Sequence, residues 1–290
     1  MDPTRQPWYV VSPTSHNRHN DREMTMLSIT DLQDTTYEVD NGLAWITINR
    51  PERYNAFRGR TIDELILLFK AAWVDPSVGV VAFTGAGEKA FCTGGDQKQR
   101  AETGDYGPTE HGLFEVEALH RLIRDIPKPV IAAVNGFAIG GGHVLHVTCD
   151  ITIAAEHAKF GQTGPRVGSF DAGFGSAYLA RIIGQKRARE IWMFCRQYDA
   201  ATAERWGLVN AVVPMADLRS TVRQWADDAL ALSPTALKVL KHSFNAETEH
   251  IAGVGAMAFD SLELFLGTEE ASEGVTAFNE KRKPDFSRFR

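Results

Sequence analysis

Ala90-Phe91-Cys92-Thr93-Gly94-Gly95-Asp96-Gln97 and Asn135-Gly136-Phe137-Ala138-Ile139-Gly140-Gly141-Gly142-His143 are the two stretches on which the fold of this chain turns. Each follows an apolar, β-branched run, Val80-Val81-Ala82-Phe83 in one case and Val130-Ile131-Ala132-Ala133-Val134 in the other. The first runs into a polar loop; the second opens a helix-compatible segment, Ala138 to Val147. Glycines at such junctions let a ligand approach the backbone closely and leave N–H groups unpaired. Two such groups, one from each segment, can converge on one oxygen and stabilise negative charge as it develops there. Taken singly, each motif is equally an ordinary tight turn. Neither continues into the Gly-Lys-Ser/Thr of a phosphate-binding loop, and neither has the Gly-x-Gly-x-x-Gly spacing with a later acidic residue.

Outward from these segments, strands alternate with helices. Ala44-Trp45-Ile46-Thr47-Ile48 reads as a buried strand ended by Arg50-Pro51. Thr61-Ile62-Asp63-Glu64 has the pattern of a capping box, opening a helix with Leu65, Leu68, Phe69 and Ala72 on one face. Ile151-Thr152-Ile153-Ala154 is a further strand. The alternation predicts an α/β core over residues 36–200. Residues 201–290 read as a helical region, with a long uninterrupted run from His250 to Lys281. Lys98 to His111 is polar and aperiodic, the character of an active-site lid. Residues 1–35 read as a disordered or extended segment. Met24 and Met26 are alternative starts, and Asp2, Asp21 and Glu23 argue against a transit peptide.

Composition narrows the function. The 31 Lys+Arg against 37 Asp+Glu leave a net charge of −6, which disfavours nucleic acid as a partner. No apolar run is long enough to span a membrane, and a cytoplasmic location is expected. Cys92, Cys149 and Cys195 make neither a disulfide framework nor a metal cluster. His143 and His146 lie three apart on one helix but have no third ligand, so packing is the expected role and no metal site is assigned.

With Ile48-Asn49-Arg50-Pro51, Asn55-Ala56-Phe57 and Cys149-Asp150-Ile151, the two glycine segments resemble the crotonase (enoyl-CoA hydratase/isomerase) superfamily over roughly residues 36–290. The resemblance implies a crotonase-like spiral of ββα units with a C-terminal helical trimerisation region, assembled as a homotrimer or hexamer. It implies an acyl-CoA substrate whose thioester enolate is held by the N–H groups of Gly95 and Gly141. CoA then arrives as part of the substrate, with no tightly bound cofactor. Thr93, Gly94, Asp96 and Gln97 would flank the thioester, and Arg53, Tyr54, Ala56 and Lys98 would meet CoA. Phe278 and Lys281 would reach it from a neighbouring subunit.

Hydrating members of that family use two glutamates, because adding water across a double bond needs a paired acid and base. Val144 and Gly164 stand at those places here. Residues 161–171, from Gly161-Gln162-Thr163-Gly164 through Ser169-Phe170-Asp171, and Arg189-Glu190-Ile191-Trp192 are similar to the 1,4-dihydroxy-2-naphthoyl-CoA synthases. That likeness implies a bicarbonate pocket at Gln162, Thr163, Gly164 and Trp192, and a catalytic pair, Asp171 and Ser169. By residue type alone, Asp171 equally suits a helix cap and Trp192 a core position. Asn41 to Ile46, Ala56-Phe57-Arg58-Gly59, Ile123 to Val130 and Ser243-Phe244-Asn245 are similar instead to the 2-ketocyclohexanecarboxyl-CoA hydrolases. One reaction closes a ring and the other opens one, and both pass through a thioester enolate. Leu266 stands where both relatives carry a C-terminal tyrosine, which leaves Tyr106 in the lid-like loop as the candidate phenol. The primary expectation is ring-opening hydrolysis of an alicyclic β-keto acyl-CoA. The synthase is second, and a non-catalytic acyl-CoA binder third.

Overall fold

The computed structural model describes residues 27–290; the expectation for the N-terminal segment otherwise lies outside the described residues. Among the described residues, ten strands form two sheets. β1 (Thr35–Asp40), β2 (Leu43–Ile48), β3 (Val80–Gly85), β5 (Val130–Val134), β7 (Ile151–Ala155) and β10 (Ala211–Val213) make a six-stranded sheet in the order β1-β2-β3-β5-β7-β10. β4 (Ala90–Cys92), β6 (Phe137–Ile139), β8 (Lys159–Gly161) and β9 (Gln197–Asp199) make the second sheet in that order. The pairs β3/β4, β5/β6 and β7/β8 each place one strand in each sheet before the chain turns into helix. This is the predicted ββα spiral. The helices are α1 (Gly59–Val74), α2 (Gln97–Thr103), α3 (Val116–Asp125), α4 (Gly141–Thr148), α5 (Leu179–Ile183), α6 (Gln185–Phe194), α7 (Ala200–Arg205), α8 (Leu218–Leu230), α9 (Pro234–Ala246), α10 (His250–Leu266) and α11 (Glu269–Asn279).

From β2 to β10 the large sheet is parallel, and both its faces are covered, so its strands read as nearly continuous apolar runs. Alternate residues still part to opposite sides. Ala44, Ile46, Val81, Phe83 and Ala132 enter the main core with α1 and α3, while Leu43, Trp45, Val80, Ala82 and Ile131 pack under α8. Phe83 sits between Phe69 and Phe91 in edge-to-face contacts at 5.5 and 5.1 Å. This packing holds rigid the strand ends from which both glycine segments spring.

Several expectations need correcting. Ordered structure starts before Thr35: Asp34 and Thr35 are buried, and Glu64 takes the N–H groups of Gln33 and Asp34 and the hydroxyl of Thr35 at 2.8–2.9 Å. Glu64 therefore anchors the chain's entry to the sheet and closes no capping box. α1 begins two residues earlier than Thr61, whose hydroxyl accepts from Arg58 N–H and donates to Asp34. The lid-like loop contains a helix, α2, because the Asp96 carboxylate accepts from Lys98 and Gln99 N–H, and Gly104 closes the other end at φ 83°. The long C-terminal run is two helices, α10 and α11, meeting at 77° with Thr268 capping the second. No single helix among the described residues is long and apolar enough to cross a membrane.

Candidate active site

The two glycine segments interlock. A Cβ built on Gly94 would lie 2.8 Å from Gly141 N, one on Gly142 1.9 Å from Cys92 O, and one on Gly141 2.6 Å from the Phe57 ring. Contacts this close exist only because Cβ atoms are missing. Gly94 also holds φ at +84°. Phe57 ties the first segment down, donating its N–H to Gly94 O and accepting from Asp96 N–H, each at 2.8 Å. Gly95 and Gly141 both line one cavity, and neither N–H has a hydrogen-bond partner among the described residues. Gly141 opens α4, so the positive end of that helix adds to its N–H.

The cavity holds about 80 Å³ and brings together Gly95, Gly141, Tyr106, Gln162, Thr163, Gly164, Ser169, Asp171 and Trp192, which the sequence scatters over a long stretch. Asp171 is the one carboxylate in its wall among the described residues. Its Oδ1 accepts from Gly175 N–H at 3.0 Å, at the start of a π-helix over Gly173–Tyr178. Oδ1 of Asp171 is thus committed to the backbone of that helix. Its Oδ2 stands 4.0 Å from Nδ1 of His120, a residue on α3 that the sequence reading missed. The only signal was a polar residue on the apolar stripe formed by Val116, Leu119 and Ile123. Val144, at the place of a hydratase glutamate, is fully buried, and a Cβ on Gly175 would lie 2.9 Å from both Val144 Cγ2 and Asp171 Cγ.

Tyr106 is no solvent-facing loop aromatic. It stacks on Phe114 at 4.8 Å, and its ring would meet a Cβ on Gly95 at 2.2 Å. Its carbonyl accepts from Gly59 N–H at 2.7 Å, fastening the lid to the start of α1. Gln162 is fully buried, with Nε2 3.4 Å from His143 Nδ1 and Oε1 unpartnered. His143 and His146 pack on each other and on Phe160, and burial pushes the His143 imidazole down to about 3. The Trp192 indole N–H is committed to Gly175 O at 2.6 Å. Of the four residues expected to hold bicarbonate, Trp192 therefore lends its ring and no free donor. Burial pushes the Cys92 thiol up to about 12, so it stays protonated under the glycine loop.

A second, larger groove of about 500 Å³ opens beside the cavity and shares Thr93, Gly95, Gln97, Thr163 and Val167 with it. Arg53, Tyr54, Ala56, Asp96, Lys98 and Phe278 line it. Two expectations change. The Asp96 carboxylate is occupied, capping α2 and pairing with Arg50 at 2.9 Å, so it shapes the groove from within. Phe278 comes from the chain's own C-terminus, because α11 folds back on α2 and Asn279 donates to Gln97 O at 3.1 Å. Lys281 is exposed just past the end of α11 and lies outside the groove lining.

Comparison with known proteins agrees with this geometry. The family model described as enoyl-CoA hydratase/isomerase matches residues 38–288. An enoyl-CoA hydratase from Mycobacterium avium subsp. paratuberculosis K-10 is 28% identical, with a TM-score of 0.78, covering 88% of this chain and 99% of its own. A carnitinyl-CoA hydratase from Mycobacterium avium is 31% identical, with a TM-score of 0.77 and coverages of 89% and 99%. A monofunctional enoyl CoA isomerase from M. smegmatis is 34% identical, with a TM-score of 0.65 and coverages of 75% and 95%. The chain belongs to the enoyl-CoA hydratase/isomerase family, the crotonase-type enzymes of acyl-CoA thioesters.

Proposed function

We propose that the protein hydrolyses a carbon–carbon bond, opening the ring of an alicyclic β-keto acyl-CoA such as 2-ketocyclohexanecarboxyl-CoA. The observation that carries this reading is a cavity whose wall holds, among the described residues, a single carboxylate, Asp171, together with two unpaired backbone N–H groups. Alkene hydration needs a paired acid and base, and Val144 and Gly164 supply neither. Reinstating the second carboxylate is also obstructed, since a Cβ on Gly164 would come 2.7 Å from Ser169 O. Water held near Asp171 and Ser169 attacks the ring ketone and gives up a proton as the C–O bond forms. The Cα–Cβ bond then breaks, its electron pair passing to the thioester as an enolate held by the Gly95 and Gly141 N–H groups. Protonation at Cα completes the addition of one water across the bond. Conversion of 2-ketocyclohexanecarboxyl-CoA to pimeloyl-CoA, followed by mass spectrometry, is the test; no turnover would sink the reading.

A second reading is the ring-closing naphthoyl-CoA synthase, favoured by the shared cavity wall of Gln162, Thr163, Gly164 and Trp192. Bicarbonate there would supply a base, held by Gln162 and Thr163 with the Trp192 ring behind it. Formation of dihydroxynaphthoyl-CoA from succinylbenzoyl-CoA, at a rate that rises with added bicarbonate, would favour it. A protein that binds acyl-CoA but turns over neither substrate would be the third, non-catalytic case. The expected homotrimer or hexamer has support in the exposed apolar side chains Val239, Leu240, Phe244, Met257 and Leu264 on α9 and α10. Sedimentation would return the assembly mass. A cytoplasmic location completes the proposal.

A further inference from the structure

His120 lines the cavity, is 1% exposed, and has no hydrogen-bond partner on either ring nitrogen among the described residues. A neutral imidazole carries one donor and one acceptor, and burying both unpaired is unfavourable. Buried polar groups left in this state mark places where a ligand or water completes the bonding. A histidine kept only for packing would be expected to find a partner on its own helix or in the opposite wall. Here the surroundings are chosen otherwise. Phe174 from the π-helix and Phe259 from α10 present ring contacts at 6.2 and 6.1 Å. The charged groups facing the ring are Asp171, across the cavity, and Glu117, which is itself paired with Arg121 on α3. Gly175 N–H holds Asp171 Oδ1, which leaves Oδ2 on the His120 side at 4.0 Å.

We propose that His120 and Asp171 form one proton-holding pair, with His120 the residue that stores the proton between the two halves of the reaction. This rests on the ring-opening reading above. As the C–O bond forms, the attacking water loses one proton to the pair. As the C–C bond breaks, its electrons go to the thioester enolate, and the pair returns the same proton to Cα. Nothing else is consumed. Burial disfavours the charged imidazole, while Asp171 and Glu117 oppose that effect, so the resting ring is neutral near pH 7 and free to accept.

Two measurements on the full chain decide the matter. The first needs no substrate. In protein labelled with 15N-histidine, the ring signals of His120, assigned by their loss in His120→Gln, should move in Asp171→Asn, with any titration displaced to lower pH. Signals that ignore Asp171→Asn overturn the pair. The second is exchange of the Cα protons of pimeloyl-CoA in D2O, read by mass. His120→Gln keeps the shape of the site but cannot carry the proton, and should slow exchange at least tenfold with an unchanged Kd for pimeloyl-CoA and an unchanged Tm. Exchange at the wild-type rate, or slowed only in step with a fall in Tm, overturns the storage role. Should His120→Gln not fold, His120→Asn takes its place and the Asp171→Asn spectra still decide the pair. If the ring substrate is not turned over but the His120 signals respond to Asp171→Asn, the ring-opening reading fails while the pair survives.

Discussion

The inner cavity and the outer groove meet at Gly95, yet they are built on opposite principles. The cavity is small, walled by aromatic rings and backbone, and its titratable groups are three: Tyr106, His120 and Asp171. Each is fixed by packing, as by the Phe114 stack on Tyr106, or by a backbone bond, as by Gly175 on Asp171. The groove is several times larger, and Arg53, Lys98, Tyr54 and Phe278 stand around it on turns and helix ends, with Tyr54 and Phe278 about half exposed. Placement of this kind suits charge development in the cavity, where dry and preorganised donors are strongest. It suits affinity in the groove, where exposed charges are screened and individually weak. On the proposed reading, the difference separates what sets the rate from what sets the binding.

That separation can be broken at either end. Asp171→Asn should lower kcat by about 10²–10⁴-fold, the range for loss of an acid–base group, while Kd for CoA thioesters stays within about threefold; a matching loss of affinity would mean the carboxylate holds the site together. Gly95→Ala should cost about 10²-fold in kcat, the scale of one oxyanion donor, because its Cβ would strike the Tyr106 ring and the backbone that carries the N–H must shift to relieve the clash. Retained activity in that variant would show that the lid yields freely. Arg53→Ala or Lys98→Ala should raise KM by about fivefold and leave kcat alone, as befits about 1 kcal/mol from an exposed charge. The gentlest test is salt. Raising ionic strength from about 0.05 to 0.5 M should weaken substrate binding a few-fold through the groove charges without altering kcat.

The glycine segments were legible because their information is local: a strand end, a run of glycines and the residue that follows. Four strands of the large sheet, β2, β3, β5 and β7, were legible for the same reason, their apolar runs being short and bounded; β1, β10 and the three-residue strands of the second sheet were not, and β6 overlapped a segment read as helix-compatible. The pairing of His120 with Asp171 was not legible, because it arises when α3 and the turn before the π-helix pack on opposite sides of one space, and no spacing encodes that. α2 was missed for a different reason. Its signals, Asp96 before it and Gly104 after it, were present, but a helix of seven residues, all polar except Ala101, has no apolar face to betray it. Phe278 was expected to reach the groove from a neighbouring subunit, whereas the return of α11 onto α2 brings the chain's own Phe278 into the groove lining, a path of long-range packing that no local pattern encodes.

The interlocked glycines carry a consequence for how such a protein can change over evolutionary time. Gly142 faces Cys92 O, Gly94 faces Gly141 N, and Gly136 would place a Cβ 2.2 Å from Lys89 O, so each segment is the mould in which the other is cast. A mutation that adds even a methyl group to one partner finds no room until the opposite backbone has moved. At those glycines, change in one segment is constrained by the backbone of the other. Substitution meets less obstruction where a side chain borders the cavity, as in the turn that carries Asp171.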